Sequence, residues 1–559
     1  MNIENKSKQI KIVCLNNNSI KEYPIGTYLT EIIKDQQITL KFPILGARVN
    51  NEIEELSYTI YKPKVIEFFD YSNIDGLRMY IRSLSFVFIK AVKELFPQSV
   101  PKIPHSLSKG FYCEIENLSE KMNADLVSDI ENKMRDLIES DIPFKHVELL
   151  THEAIELFIE NGYLDKARLF KQCPELYTSV YYLRDYVDYF YGYLVPSTGY
   201  LKVFDLMSFK SGLILRIPSQ PNPKELLKGP DQPKMYEIFK EYKNWGKIIG
   251  AADVGSINEM VLRGEESELI KISEALHEKK VAQIADQIKA RQTAKFVLIS
   301  GPSSSGKTTF SKRLAIQLKV AGLMPTQISM DNYFVDRDKT PKDENGEYDF
   351  ESFDAIDLEL FNQNCQDLLD GKEVELPEFS FQAGKRIYDG RKIQIEKNTI
   401  IIIEGIHALN PRLTNALDQE SIYKIYVSAL TQVSIDSHNR IPTTDNRLIR
   451  RIIRDFQYRG YTALETLRRW PSVRKGEDKN IFPFQEECDI MFNSALPYEL
   501  GVLKRYAEPL LKDIKQIEPE FSEVMRLLKF LSYFKPMHET EVPPTSILRE
   551  FLSGSSFRY

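Results

Sequence analysis

The chain has little cysteine and uses it singly. Cys14, Cys113, Cys173, Cys365 and Cys488 lie far apart in 559 residues, and no C-x-x-C pair occurs. That spacing fits reduced cytosolic thiols better than a disulfide framework or a zinc site. Long apolar runs are missing too. None approaches the ~20 residues of a membrane span, and the opening stretch MNIENKSKQIKIVCL lacks a signal-peptide apolar core. A cytoplasmic location is therefore expected, with no membrane partner. A global basic excess is also lacking: 74 Lys and Arg stand against 80 Asp and Glu, a formal net charge of −6. Nothing in that balance asks for a nucleic-acid coat, although a local basic patch stays open.

What is present points first to phosphate. The run Phe296-Val-Leu-Ile-Ser leads straight into Gly301-Pro-Ser-Ser-Ser-Gly-Lys-Thr-Thr309, and a helical pattern follows from Phe310 to Val320. Strand, glycine-rich turn and helix in that order make a phosphate-binding loop. Its glycines let backbone N–H groups turn toward phosphate oxygens, and the helix start adds its positive dipole end. The nucleotide set is then Gly301, Ser303, Ser304, Ser305, Gly306, Lys307, Thr308 and Thr309. Lys307 reaches the β- and γ-phosphates of ATP, and the Thr308 hydroxyl is suited to Mg²⁺.

Strands and helices alternate from Lys295 onward, which predicts a three-layer α/β domain with a parallel sheet. Thr326-Gln-Ile-Ser-Met330 reads as its second strand and ends at Asp331. Ligands gather at the carboxyl ends of such strands, so Asp331 is expected to face the phosphate loop. A carboxylate there can take a proton from an attacking hydroxyl, and can hold Mg²⁺ directly or through water; a turn-capping aspartate is the plainer alternative. Thr399-Ile-Ile-Ile-Ile403 is β-branched throughout and reads as a fully buried central strand, with Glu404 at its end as a Mg²⁺–water contact. Arg447, Arg451 and Arg454 fall on one helical face, with Arg450 beside them and Arg459 near the end. Arginines with few balancing carboxylates read as a lid that closes on phosphate.

These four markers, in this order, resemble the uridine kinase family of P-loop nucleoside kinases, with phosphoribulokinases as relatives, over roughly residues 293 to 500. The resemblance implies a catalytic set of Asp331, Lys307, Arg454 and Arg459, and a metal set of Thr308, Glu404 and Asp331. It implies an acceptor side of Asp349, Tyr333, Phe379, Arg386 and Arg450. Within Tyr348–Asp357, Asp349 is expected near the sugar hydroxyls. In Pro377–Arg386 this chain departs from the family: Phe379 stands for its Tyr, and Gly384 for the His that contacts a pyrimidine. Lost hydroxyl and imidazole contacts relax or redirect base selection. Tyr458 and Tyr461 also stand where the lid of the family is usually charged.

The N-terminal half resembles a different family. Tyr23-Pro-Ile-Gly-Thr27 and Ala47-Arg-Val-Asn-Asn-Glu52 look like the TGS domain, a β-grasp, that opens threonyl-tRNA synthetases. The helix-like Gly76–Pro97, the strand-like Lys109–Ile115, and the loop Gly192–Gly199 followed by Leu201–Phe204 look like the editing domain behind it. That family's editing site uses His-x-x-x-His and Cys-x-x-x-His pairs. Here the matching positions are Arg82 and Phe86, then Phe190 and Leu194. Phe and Leu can neither bind a metal nor move a proton, so no editing hydrolysis is expected. The tyrosine-rich run Leu176–Tyr191 has few interleaved cations, and it reads as sheet packing in preference to base stacking.

The expected organisation is a multidomain α/β and α+β protein. Residues 1–70 form a TGS-like β-grasp, 71–218 a degenerate editing-like domain and 219–291 a helical connector. Residues 292–510 form the kinase-like domain, and 511–559 a C-terminal helical segment without chemistry of its own. The expected activity is ATP- and Mg²⁺-dependent transfer to a nucleoside 5′-hydroxyl. Another hydroxyl acceptor such as a sugar phosphate stays open, as does an ATP-sensing protein that binds tRNA or a partner. Oligomeric state is also open.

Overall fold

The computed structural model describes residues 9–558, apart from 221, 223, 343–345, 347, 350, 381, 382, 397 and 415–417. The expectations for residues 1–8, and for Phe350, Phe381 and Gln382 within Tyr348–Asp357 and Pro377–Arg386, lie outside the described residues.

The first region is a five-stranded mixed sheet in the order Ser19–Pro24, Gln9–Cys14, Lys64–Asp70, Ile44–Val49, Glu52–Glu55. Gln9–Cys14 and Lys64–Asp70 run parallel, and the other neighbours are antiparallel. Alternation explains it: Ile10, Ile12 and Cys14 point inward, and with Leu29 and Ile32 of the short helix Leu29–Asp35 they close a small core. This is the expected β-grasp.

The second region hangs on the helix Ile74–Leu95. Asn73 caps its start by accepting from Asp75 N, and apolar residues on almost every face bury it. A four-stranded antiparallel sheet and a three-stranded sheet flank it. Tyr177–Leu183 and Tyr186–Asp188 belong to the latter, with Tyr181 buried in the domain core and Tyr189 just beyond. Leu201–Phe204 is not a strand; the strand starts at Asp205 and runs to Phe209, because Leu201 and Phe204 are buried as loop anchors.

The four positions that resemble editing-site ligands are now packing. Phe86, Phe190 and Leu194 are buried, and the Phe86 ring lies 5.3 Å from Phe190 and 5.8 Å from Phe144. Arg82 turns its guanidinium onto the Tyr193 carbonyl at 2.8 and 3.0 Å.

The C-terminal region holds a five-stranded, wholly parallel sheet. Its order is Met324–Ser329, Thr399–Glu404, Phe296–Ser300, Ile422–Ser428, Ile490–Asn493. Thr399–Glu404 is interior as expected, but Phe296–Ser300 takes the middle place. Both are apolar runs because helices cover both faces. The connector helix Glu266–Ala290 packs along Lys307–Val320, the helix that follows the phosphate loop.

The regions share cores as well as borders. Phe158 and Leu169 of the editing-like region pack into the same apolar cluster as Val281, Leu314, Leu503, Leu527 and Leu548. Buried Lys166 sits between Asp188 at 3.0 Å and Asp436 at 2.8 Å, and His438 meets Asp188 at 2.7 Å. A second junction is a chain of ion pairs: Arg48–Asp75 (2.9 Å), Asp75–Arg78 (3.1 Å), Arg78–Glu523 (2.6 Å), Glu523–Arg526 (2.6 Å) and Arg526–Asp445 (2.6 Å). No described helix is long and apolar enough to cross a membrane.

Candidate active site

The phosphate loop is built by what cannot fit. A Cβ at Gly301 would stand 1.9 Å from the Val427 carbonyl, so only glycine lets the chain leave the strand there. Ser304 (φ +58°) and Gly306 (φ +82°) both take left-handed backbone, which wraps the loop and turns it into the helix Lys307–Val320. Gly306 has no side chain to cap that helix, so the first-turn N–H groups depend on other partners.

The arginine helix, Thr443–Arg459, docks on this loop and divides its guanidiniums into two groups. Arg447 and Arg450 are wholly buried. Arg447 donates to Ser303 O at 3.0 Å and pairs with Glu477, which also accepts from Ser303 N at 2.9 Å. Arg450 pairs with Glu499 and donates to Ser494 O at 2.9 Å. These two brace the loop from behind. Arg451, Arg454 and Arg459 instead share the carboxylate of Asp455, at 3.1, 2.8 and 3.6 Å. Arg451 also reaches Ser303 Oγ at 2.8 Å. These three guanidiniums share one carboxylate between them.

Across from it stand the carboxylates. Asp331 lies in the 3₁₀ turn Met330–Tyr333, directly after its strand, with its N–H on Ser329 Oγ. Water reaches its surface, yet the walls of the cleft crowd it. Burial raises its carboxyl, against the opposing pull of Lys307 and Arg459. Glu404 accepts from Thr308 Oγ1 at 3.1 Å. Burial pushes it up to about 7; Lys307 opposes this, while Asp331 and Glu550 add to it. Lys307 donates to Pro302 O at 3.2 Å, and burial lowers its ammonium despite Glu404, Glu550 and Asp331 around it. The cleft thus gathers Lys307, Thr308, Asp331, Glu404, Arg451, Arg454 and Arg459 under strained electrostatics, as functional clefts do.

The acceptor set is not gathered in the same way. Tyr333 and Phe379 are buried in the apolar cluster under the turn, where the Tyr333 hydroxyl accepts from Asn364 at 3.2 Å. Arg386 is held by Asp357 at 2.9 Å and Phe334 O at 3.2 Å. Asp349 caps a turn by accepting from Glu351 N at 3.1 Å. Arg450 lies behind the phosphate loop, because Glu499 and the Ser494 carbonyl draw it inward.

Several members went unread in the sequence. Glu477 and Glu550 meet the loop from distant segments, Glu499 meets Arg450 behind it, and no spacing rule ties any of the three to it. Glu351 also faces the cleft, pushed up to about 7 by burial and by Glu477. Asp455 was detectable, as the single acid inside the arginine run.

Comparison with known proteins gives different matches for the two halves of the chain. Residues 296–497 match the family described as Phosphoribulokinase / Uridine kinase. The N-terminal region matches threonine–tRNA ligases. One, from Desulforamulus reducens, is 32% identical over 197 residues, covering 35% of this chain and 31% of that protein. Another, from Carboxydothermus hydrogenoformans, is 30% identical over 193 residues, covering 34% and 30%. The chain therefore spans about a third of the length of these curated relatives. Among solved structures, a possible uridine kinase from Bacillus stearothermophilus matches at 18% identity and a TM-score of 0.24, covering 36% of this chain and 89% of that one. D-glycerate 3-kinase from Cryptococcus neoformans matches at 13% and 0.22, covering 45% and 87%. The C-terminal region is a P-loop kinase fold on a parallel sheet, joined to a region that matches a synthetase.

Proposed function

We propose that the chain is an ATP- and Mg²⁺-dependent kinase that transfers the γ-phosphoryl group to a nucleoside 5′-hydroxyl. The observation that carries the reading is Asp331, directly after its strand and within electrostatic reach of Lys307 and of Arg459, one of the three arginines that share Asp455.

The phosphate loop receives the triphosphate, and Lys307 binds its outer phosphates. Asp331 accepts the proton of the attacking hydroxyl as its oxygen bonds to γ-phosphorus. The bond from γ-phosphorus to the bridging oxygen breaks, and ADP leaves with that electron pair. A raised carboxyl is a better proton acceptor for an alcohol than an ordinary one. Arg451, Arg454 and Arg459 offset charge on the transferring group.

The residues fit Mg²⁺. Thr308 Oγ1 and Glu404 Oε1, joined by a 3.1 Å hydrogen bond beside the phosphate loop, are hard oxygen donors of the kind that would hold the ion. Among the described residues no group of three His, Cys, Asp or Glu side chains could hold a metal ion. When bound, the ion would offset phosphate charge.

A neutral acceptor is favoured over a sugar phosphate. Arg386 and Arg450, the cations proposed for that side, already have carboxylate partners. A nucleic-acid partner is not part of the proposal. The test is ADP release by purified protein with uridine, cytidine, adenosine, guanosine, a pentose phosphate and no acceptor. Release that depends on a nucleoside supports the reading. Release that depends only on a sugar phosphate, or that ignores every acceptor, sinks it.

A further inference from the structure

The C-terminal segment, expected to carry no chemistry, lies on the phosphate loop. Ser546, Ile547, Leu548, Phe551 and Leu552 are completely buried. Ser546 starts the 3₁₀ turn Ile547–Glu550 by accepting from Leu548 N at 3.1 Å, and it donates to Glu274. Ile547 packs where Gly306 has no side chain: its Cγ2 would be 2.4 Å from a Cβ there. The turn then directs Glu550 at the start of the phosphate-loop helix. One carboxylate oxygen, Oε2, accepts from Thr309 N at 3.1 Å and from Thr309 Oγ1 at 2.7 Å. Leu552 O accepts from Tyr458 OH at 2.7 Å, and the Arg450 guanidinium lies over the Phe551 ring at 5.0 Å. The segment therefore holds the arginine helix as well as the loop.

First-turn N–H groups of this helix are what a phosphate loop offers to a nucleotide. Thr309 N is one of them, and here a carboxylate has it. One N–H cannot serve two anions well. A phosphate approaching Thr309 also meets the charge of Glu550 in a crowded cleft, where like charges are poorly screened. We propose that Ser546–Leu552 is a self-inhibitory strap, in which Glu550 holds the seat of a nucleotide phosphate on Thr309 and must leave it when ATP binds. This rests on the reading of Gly301–Thr309 as a nucleotide site. Tyr458 gives the strap a second role. Its hydroxyl donates to Leu552 O and binds the strap to the arginine helix, so release of the strap also frees the last turn of that helix.

The experiment measures ATP affinity of the full chain by calorimetry, without acceptor. It compares wild type, Glu550→Gln, Glu550→Ala and Glu541→Gln, an exposed carboxylate paired to Lys271 on the same segment. Melting temperatures establish that each variant is folded. Glu550→Gln and Glu550→Ala should bind ATP about tenfold more tightly, the size of one charge-assisted hydrogen bond no longer in competition. Glu541→Gln should match wild type. In wild type, ATP should speed hydrogen exchange at the N–H groups of Arg549, Phe551 and Leu552, which close the turn onto Ser546 and Leu548. Equal or weaker binding by folded Glu550→Gln overturns the strap while leaving the nucleotide site standing. So does exchange that ATP does not alter. ATP bound by no form overturns both. Because no acceptor is present, failure to phosphorylate nucleosides would leave this result untouched.

Discussion

Two clefts in this chain had the same opportunity and met different ends. In the editing-like region, the four positions that resemble metal or proton-carrying ligands hold Arg82, Phe86, Phe190 and Leu194. Three are buried apolar side chains in ring contact or close packing, and the fourth is satisfied by a backbone carbonyl. In the kinase region, polar groups were kept at visible cost. Glu404 and Glu351 are pushed up to about 7, and Asp331 is raised while Lys307 is lowered. A protein without use for a site can fill it with rings and gain stability. One that tolerates crowded, desolvated carboxylates beside a lysine has a reason to keep them. The contrast separates a region packed with rings from one that carries crowded polar groups within one molecule.

The strongest way to break this comparison is to remove the kinase charges. Lys307→Ala and Asp331→Asn should each lower phosphoryl transfer by about 10³-fold or more, the range for a lost electrostatic or base contribution. Neither should lower the melting temperature, because both groups sit in unfavourable surroundings. Coupled ADP release and a thermal melt read the two quantities, and near-normal turnover by either variant would end the assignment.

The filled cleft should respond in the opposite sense. Phe86→Ala opens a cavity among Phe144, Tyr186 and Phe190 and should cost about 3–5 kcal/mol, seen as an early denaturant transition. ATP affinity should be unchanged. A large loss of ATP binding with intact stability would mean that the N-terminal cleft still has a job.

The smallest effect is a pH dependence. With burial as the main cause, Glu404 in the free protein titrates near about 7, so its ionised, Mg²⁺-competent form grows as pH rises through that value. kcat/KM for ATP should climb between pH 6 and 8, by up to about tenfold per unit on the acid side. Higher Mg²⁺ should move the midpoint to lower pH, since the ion binds the deprotonated form. A midpoint indifferent to Mg²⁺ would detach Glu404 from the metal.

Much of the catalytic cleft was legible because its signals are local. The Gly301–Thr309 spacing, the carboxylates after the Thr326 and Thr399 strands, and the arginine run each place a group by neighbours in sequence. Local signals failed where direction mattered. Helical phase put Arg447 with Arg451 and Arg454 on one face, but it does not tell which edge of that face turns inward. Glu477 and Glu499, far along the chain, drew Arg447 and Arg450 into the protein. The acceptor side was read least well, since Tyr333 and Phe379 are as suited to a core as to a ligand. Glu550 was invisible because its meaning is one contact with Thr309 across 241 residues of chain.

The ion chain from Arg48 to Asp445 changes what it means to divide this protein. Signs alternate along it, so each member is held by neighbours from other regions. Asp445 opens the arginine helix, and its partner Arg526 lies beyond residue 510. A kinase fragment cut at the borders expected from sequence would therefore start its phosphate-gripping helix with an orphaned, largely buried acid. Two regions that match different families follow one another in the sequence, but charges that cross their borders tie them together in the folded molecule.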